Sequence, residues 1–202
     1  MRNIEFKEIT STEETNLFLE KFESYTGVRL PEAYAQKSKI VGVFARGKLS
    51  AGYMLVTKPG FRSTMFVPDA TKKQNAFFKN NEYDMMEVNG LWIGPAIKTP
   101  QMQFKIWLRM VMDIFMSKKK FLLLMCDSKN ENIKKLHNLT NPDFIYEGSP
   151  NTMSGENSVS SIRVAYTTRW KMILGIPLYI KQLKLREKRV AAATARRTLA
   201  RG

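Results

Sequence analysis

The chain has 202 residues, of which 44% are hydrophobic and 25% charged, a balance typical of one globular domain and not of a disordered chain. It contains a single cysteine, Cys126, and a single histidine, His137, which excludes an internal disulfide and argues against a zinc site, so no metal is expected. The formal net charge of +15 favours anionic partners, such as acidic lipids, an acidic carrier protein, nucleic acid or a phosphate-rich cofactor.

The first elements are a strand, a helix and a hairpin. Residues 4–9 alternate between apolar and polar and predict a short strand. A capping hydroxyl at Ser11 followed by two acidic residues begins a helix, and Gly27 ends it. Two apolar runs at 40–45 and 49–56 flank the sequence Arg-Gly-Lys, which predicts a β-hairpin.

The second half predicts strands that alternate with helices. Residues 58–84 are expected to form a long loop with at most one helix. A strand follows at 85–93, and Thr99 then caps a long amphipathic helix whose first residue is Pro100. The apolar run 121–126 predicts a buried strand, a short helix follows residue 130, and 158–168 predicts the last strand. This order indicates an α/β fold, a mixed central β-sheet with helices on both faces and one parallel crossover.

Two segments of the sequence resemble motifs of the Gcn5-related N-acetyltransferase (GNAT) superfamily. The first is EVNGLWIGP at 87–95, which is followed by the long helix. The second is NE at 130–131 with LH at 136–137, then DF and EG within 143–148. The resemblance covers roughly residues 1–168, and it implies a GNAT-like acyltransferase domain over this range.

The resemblance implies catalytic roles for three residues. Glu87 stands where family members often place a general base, and a carboxyl buried in this strand would have a raised pKa. The alternative is an exposed strand acid. Asn89 lies on the same face and could hold a water or a substrate carbonyl. His137 stands where the family has a tyrosine that protonates the leaving thiolate; the alternative is a surface or packing role. Cys126 is interpreted as a small buried hydrophobe, and the less favoured alternative is that it forms an acyl thioester.

The resemblance also implies contacts with an acyl thioester. The backbone of Leu91, Trp92 and Ile93 would bind pantetheine, and Asn130 opens the second motif. In the family, glycines form a phosphate loop, whereas this chain has KTPQMQ at 98–103, so Lys98, Thr99 and Gln101 are the candidate phosphate contacts at a helix N-terminus. Some relatives take their acyl group from acyl carrier protein, and those relatives also tend to lack the glycine loop.

These features together imply an N-acyltransferase that moves an acyl group from acyl-CoA or acyl carrier protein to a primary amine by direct attack. The phosphopantetheine thioester is a cosubstrate, and no tightly bound cofactor is expected. The acyl chain, which could be medium or long, is expected to run toward 58–84. The alternative is a degenerate acyltransferase fold that binds acidic partners: acyl carrier protein, membrane or, less favoured, nucleic acid.

Residues 169–202 are predicted to form a basic amphipathic C-terminal extension. An apolar segment at 170–180 precedes residues 181–202, which carry eight basic residues against one acidic residue. This pattern suits an anionic membrane interface, and the alternative is that 170–180 docks on the core. No signal peptide or stretch of about 18 apolar residues is apparent, so a cytoplasmic protein, peripheral at the membrane, is expected.

Overall fold

The computed structural model describes residues 4–151, 160–185 and 188. These residues form one seven-stranded sheet in the order β1-β2-β3-β4-β5-β7-β6. Only β4 and β5 pair in parallel; the other neighbours are antiparallel. The strands are β1 (Ile4–Ile9), β2 (Ser38–Ala45), β3 (Lys48–Val56), β4 (Met85–Ile93), β5 (Phe121–Asp127), β6 (Asp143–Gly148) and β7 (Ile162–Thr168).

Helices cover both faces of the sheet, which confirms the predicted α/β fold. Residues 82–84 form a turn of 3₁₀-helix, and residues 176–185 are helical. The α-helices are α1 (Thr12–Thr26), α2 (Glu32–Gln36), α3 (Arg62–Met65), α4 (Asp69–Gln74), α5 (Ala76–Asn80), α6 (Pro100–Met116), α7 (Glu131–Asn138) and α8 (Arg169–Leu174).

Helix α1 begins and ends where the sequence predicts. The Ser11 hydroxyl accepts a hydrogen bond from the Glu14 amide at 3.2 Å, and Gly27 ends the helix with a φ of 69°. Its inward face carries Phe18 and Phe22 into the largest core cluster, which fills the space between the sheet and the helices α1, α2 and α5. This face of the sheet also carries Glu87.

The opposite face of the sheet is covered by α6 and α8. Val111 and Ile114 of α6 pack with Met86 of β4 and Met172 of α8 in a second core cluster. Beyond α8, the ring of Tyr179 stacks on Trp107 with centroids 3.8 Å apart. The described part of the C-terminal extension therefore packs against the domain, although the division after residue 168 stays a prediction.

A charged network ties α6 to two strands on this face. Asp113, which is buried, accepts hydrogen bonds from the Tyr53 hydroxyl at 2.5 Å, from Lys39 Nζ at 3.2 Å and from Arg109 Nε at 3.1 Å. Burial alone would raise the pKa of the Asp113 carboxyl, but these three donors hold it below its usual value. The network fixes α6 against β2 and β3.

The structure differs from the sequence prediction at two places. Residues 58–84 hold three short helices, where at most one was predicted; each has four to six residues, too few to show a helical period. Strand β6 was not predicted, because it is an edge strand in which only Ile145 is buried, so it lacks an apolar alternation.

The predicted C-terminal elements are only partly described. The start of the last predicted strand at 158–159 and most of the basic run, 186–187 and 189–202, lie outside the described residues. Among the residues that are described, no helix is both long enough and apolar enough to span a bilayer.

Candidate active site

A cleft opens where β4 and β5 stop pairing. The parallel register ends at the pair Glu87 and Leu123. Beyond it β4 is irregular, because its register against β3 shifts between Gly52 and Met54. Gly90 lies at this irregularity with a φ of 59°, and a Cβ there would lie 3.0 Å from Met54 Cε, so the position favours glycine. The edge of β4 that faces β5 is thus left without a strand partner after residue 87.

The cleft leads into a cavity of about 410 Å³. Residues 88–91 of β4 and 122–127 of β5 form two of its walls, α1, α6 and α7 contribute others, and the helical segment around Tyr179 contributes one more. Most of the lining side chains are apolar, and the size is that of an ordinary ligand pocket, about 300–1,000 Å³. The cavity therefore suits an extended, mainly apolar ligand inserted between the two strands.

Glu87 lies next to the cavity but does not line it. Its side chain is only 1% exposed, which excludes the interpretation as an exposed strand acid. Oε1 accepts hydrogen bonds from the Arg62 amide at 2.7 Å and from the Tyr34 hydroxyl. Oε2 accepts hydrogen bonds from the Ser63 amide at 2.9 Å and from the Ser63 hydroxyl. The carboxyl group is thus held by two backbone and two hydroxyl donors.

Burial dominates the ionisation of Glu87. It raises the pKa of the carboxyl to about 7, against the opposing effect of the amides of Ser63 and Arg62 and the side chain of Asn89. Near neutral pH the group therefore exchanges between its acid and its carboxylate. A carboxyl with this pKa is suited to accept a proton during a reaction.

Tyr34 connects Glu87 to the cavity. Asn89 lines the cavity, and its Nδ2 donates a hydrogen bond to the Tyr34 oxygen at 3.3 Å. The Tyr34 hydroxyl in turn donates to Glu87. Asn89, Tyr34 and Glu87 therefore form a continuous hydrogen-bonded path from the cavity to the buried carboxyl.

His137 and Asn130 lie on the other side of the cavity, and both line it. The Asn130 side chain caps α7 by accepting a hydrogen bond from the Ile133 amide at 3.2 Å. Burial, together with the positive charge of Arg163, lowers the pKa of His137 to about 4. The imidazole is therefore neutral at pH 7, so it can offer an N–H to a leaving sulfur but not a ready imidazolium proton.

Cys126 lines the same cavity, as a thiol and not as a thiolate. Burial raises the pKa of its sulfhydryl above the usual value, more than the nearby positive charges of Arg163 and Lys134 lower it. A protonated thiol is a poor nucleophile, which agrees with its interpretation as a small apolar residue.

The three β4 residues proposed to bind pantetheine lie at the open edge of the cleft. Leu91 lines the cavity, and Ile93 is exposed. The Trp92 ring points into the core and stacks on Tyr25 with centroids 5.1 Å apart. Trp92 can therefore contact a ligand only through its backbone, which was the role predicted for it.

The candidate phosphate contacts lie at the start of α6, outside the lining of the cavity. The Thr99 hydroxyl accepts a hydrogen bond from the Met102 amide at 3.2 Å, and Pro100 has no N–H. Two of the backbone N–H donors that the first turn could offer to a phosphate are therefore lost to it: one is occupied by Thr99 and the other is missing at Pro100. The side chains of Lys98 and Gln101, which flank Thr99 and Pro100 in the sequence, are exposed.

An acyl chain bound in this cavity would not run toward residues 58–84, the direction expected from the sequence, and that expectation stays a prediction. No residue of that segment lines it. Phe61 and Phe77 of the segment are buried in the largest core cluster, where Phe77 stacks on Tyr166. The apolar cavity extends instead toward α6 and the helical segment after β7.

Sequence reasoning missed the residues that hold Glu87 and those that close the cavity. Tyr34 and Ser63 belong to no sequence motif, and only the tertiary fold brings their hydroxyls into hydrogen-bonding contact with Glu87. Trp107 belongs to the apolar stripe that makes α6 amphipathic, Met110 was not placed in that stripe, and Tyr179 was included only in an apolar tail segment. The stripe identified a buried helix face but not that a cavity lies beneath it.

Comparisons with known proteins identify the fold. No protein-family model matches the sequence, and no curated protein does. Solved structures do match. An N-acyl amino acid synthase, FeeM, from uncultured soil microbes is 9% identical, with 85% of this chain and 94% of that chain covered and a TM-score of 0.59.

Two further structures have the same architecture. The ribosomal-protein-S18-alanine N-acetyltransferase of Escherichia coli is 8% identical, with 82% of this chain and 94% of that chain covered at a TM-score of 0.56. A GNAT family acetyltransferase of Elizabethkingia anophelis with acetyl-CoA bound is 10% identical, with 82% of this chain and 98% of that chain covered at a TM-score of 0.54. The chain has the GNAT acyltransferase fold, as the sequence motifs predicted.

Proposed function

We propose that this protein is an N-acyltransferase that transfers an acyl group from a phosphopantetheine thioester to a primary amine by direct attack. The observation that carries the proposal is the cavity between the separated strands β4 and β5, with a buried carboxyl of pKa about 7 connected to it. The structural neighbours, which include an N-acyl amino acid synthase and an acetyltransferase with acetyl-CoA bound, support the same chemistry.

In the proposed reaction the thioester lies in the cleft against the unpaired edge of β4. The amine nitrogen attacks the carbonyl carbon, a C–N bond forms, and the C–S bond breaks. The proton lost by the amine passes to the Tyr34 hydroxyl, directly or through a water held by Asn89, as Tyr34 passes its own proton to Glu87. The thiolate then takes up a proton from solvent while the neutral imidazole of His137 donates a hydrogen bond to sulfur.

We further propose that the acyl group is longer than acetyl. Methionine side chains adapt to flexible apolar ligands, and Met110, Met125 and Met172 all line the cavity. The apolar lining continues past the β4–β5 edge to Trp107 and Tyr179, a region that an acetyl group would leave unfilled. A medium- or long-chain acyl group would bury its methylenes there, each contributing about 0.8 kcal/mol.

The donor is proposed to be either acyl carrier protein or acyl-CoA, and the features of α6 favour the carrier protein. Its first turn lacks the glycines that would let amides surround a pyrophosphate, and Thr99 and Pro100 occupy or remove two of the amides. A carrier protein brings one phosphate on its prosthetic arm and an acidic surface. The net charge of +15 suits such a partner.

A thiol-release assay tests the proposal. The full chain is incubated with two-, eight- and sixteen-carbon acyl-CoA and acyl carrier protein, together with amino acids, polyamines and lysine peptides as acceptors. We expect amine-dependent release of free thiol and an amide product in mass spectrometry, faster with the longer chains. Absence of thiol release with every pair would overturn the enzyme assignment.

A thermal-shift measurement separates the alternative function, in which the fold only binds acidic partners. A rise in Tm with a thioester or a carrier protein but no turnover would favour such a binding module. Stabilisation by duplex DNA alone would favour nucleic acid, with a steep salt dependence as its signature.

A further inference from the structure

The helical segment after β7 has two apolar faces, and among the described residues only one of them is covered. Met172, Ile173 and Ile176 pack with the second core cluster, and Tyr179 stacks on Trp107. The other face carries Trp170, Leu174 and Leu178, whose exposed fractions are 57%, 74% and 49%. These three residues are spaced by four across the turn at Gly175, whose backbone stays in the right-handed helical region with φ −74° and ψ −13°, so they form one stripe along the surface of the segment. We call it the outer stripe.

Two apolar side chains, Phe115 and Met116, end α6, and Phe115 contacts the outer stripe. Met116 is 67% exposed, and the ring of Phe115 lies edge-on to Trp170 with centroids 5.1 Å apart. The stripe is thus part of a larger apolar surface that includes one tryptophan at its end. Tryptophan is enriched where protein meets the polar boundary of a bilayer.

Positive charge surrounds this surface. Residues 169–185 contain four basic residues and no acidic residue. The Arg169 guanidinium lies over the rings of Phe115 and Trp170 at 5.6 and 5.8 Å, and Lys181 and Lys184 are exposed at the far end of the segment. Lys171 is the exception, because its ammonium bonds to Asp143 at 3.1 Å. Three basic residues, 118–120, follow α6. The backbone carbonyl of Lys120 accepts a hydrogen bond from the Arg169 amide at 3.2 Å, which brings this basic run next to the start of α8.

We propose that the outer stripe lies on an anionic lipid surface, with the helical segment parallel to the plane of the bilayer. Apolar side chains along one line, an aromatic residue at its end and flanking cations form the arrangement by which helices bind at the interface without crossing it. The charge selects the partner, since a surface rimmed by Arg169, Lys181 and Lys184 attracts acidic headgroups and disfavours a basic protein. The covered face keeps the helix attached to the domain.

Vesicle co-sedimentation of the full chain tests this proposal. At low salt we expect binding to vesicles with about one third phosphatidylglycerol, and at least tenfold weaker binding to pure phosphatidylcholine. The triple variant Trp170→Gln/Leu174→Gln/Leu178→Gln should lose at least tenfold in binding to the anionic vesicles. The matched control Leu17→Gln/Met65→Gln changes exposed apolar residues on α1 and α3 and should bind within twofold of the intact chain.

Two further measurements keep the test independent of folding defects. Tryptophan emission should shift to the blue when anionic vesicles are added, and Trp170→Phe should remove most of that shift, since Trp92 is buried and Trp107 is stacked on Tyr179. Lys181→Gln/Lys184→Gln, at exposed positions, should weaken binding and reduce its salt dependence. The unfolding midpoint of each variant shows whether it is folded.

Three outcomes would overturn the proposal: no binding of the intact chain to anionic vesicles at low salt, unchanged binding of the folded triple variant, or binding to duplex DNA without binding to vesicles. None of them depends on turnover. A failure here is therefore distinct from a failure of the acyltransferase assignment.

Discussion

The hydroxyl of Tyr34 donates a hydrogen bond to the carboxyl of Glu87, a residue 53 positions later in the chain. Tyr34 belongs to a helix of five residues that follows α1, and Glu87 lies in the middle of the sheet. The same hydroxyl oxygen accepts a hydrogen bond from Asn89, which lines the cavity. Tyr34 is thus the connection between a buried proton acceptor and the place where a substrate would react.

Replacing Tyr34 by phenylalanine tests this connection. Tyr34→Phe keeps the ring and its packing but removes the hydroxyl, so the path from the cavity to Glu87 is interrupted. We expect kcat for amide formation to fall by roughly 10²-fold, within the usual range for loss of acid–base catalysis, with KM for the thioester within threefold. Tyr83→Phe, at a position 75% exposed, serves as the control and should leave kcat unchanged. An active Tyr34→Phe enzyme would show that protons leave by another route.

The pH dependence of the reaction should follow Glu87. Its pKa is raised to about 7, and only the ionised form can accept a proton, so kcat should rise with pH and level off above about 7. Glu87→Gln should lower kcat by about 10²–10⁴-fold and remove this acidic limb. Glu82→Gln, at an exposed acid, should keep the normal profile. An unchanged limb in Glu87→Gln would assign the titration to another group.

The ionisation of His137 can be measured directly, because it is the only histidine in the chain. Proton NMR of its imidazole should give a pKa of about 4 in the folded protein and about 6.5 in urea. Burial is the main cause and the charge of Arg163 the second, so Arg163→Gln should raise the folded value without restoring it fully. A folded pKa at or above 6.5 would instead make His137 available as a cationic acid near neutral pH.

Much of the fold follows from local patterns in the sequence. Ser11 and Gly27 bound α1, Thr99 and Pro100 begin α6, and the glycine at position 47 turns the hairpin with a φ of 72°. Each of these signals acts over a few residues, so it can be read from the sequence alone. Residues 58–84 and β6 could not be predicted in this way, because their structure depends on burial of single residues such as Phe77 and Ile145 in a distant core.

The candidate site was predictable only in part, for the same reason. The alternation of β4 places Glu87 and Asn89 on one face, and the motif around residue 130 brings Asn130 and His137 to the cavity. The partners of Glu87 come from α2 and α3, which no local pattern associates with β4. Likewise, the apolar composition of the tail segment does not indicate which of its side chains pack inward and which stay exposed. That division depends on where α6 lies in the folded domain.

The Asp113 network predicts a defined loss of stability. Asp113→Asn removes the charge that accepts hydrogen bonds from Tyr53, Lys39 and Arg109, and it should cost about 1–3 kcal/mol. For a chain of this length, each kcal/mol lowers Tm by roughly 2–4 °C. Asp69→Asn removes an exposed carboxylate paired with Lys72 and should leave Tm unchanged.

The same variant has a predicted pH dependence. The pKa of Asp113 is lower in the folded protein than in the unfolded chain, so its stabilising effect is fully present above the unfolded pKa of about 3.9. The effect is lost as the pH falls through the lower folded pKa. The difference in Tm between the wild type and Asp113→Asn should therefore be constant from about pH 5 to 7 and shrink below about pH 4. A difference that grows on acidification would contradict this account.

The last prediction concerns the length of the acyl chain, and α6 offers a matched pair of positions for it. Met110 lines the cavity, whereas Met112, two residues later on the same helix, is 45% exposed and does not. Met110→Trp adds volume inside the cavity, at a cost in stability of about 1–3 kcal/mol for overpacking. We expect it to lower kcat/KM for a sixteen-carbon thioester at least tenfold while the value for a two-carbon thioester changes less than threefold. Met112→Trp makes the same substitution outside the cavity and should alter neither value. If Met110→Trp, like Met112→Trp, leaves the ratio of kcat/KM between the sixteen- and two-carbon thioesters unchanged, the acyl group does not occupy this cavity, even if the enzyme proves to be an N-acyltransferase.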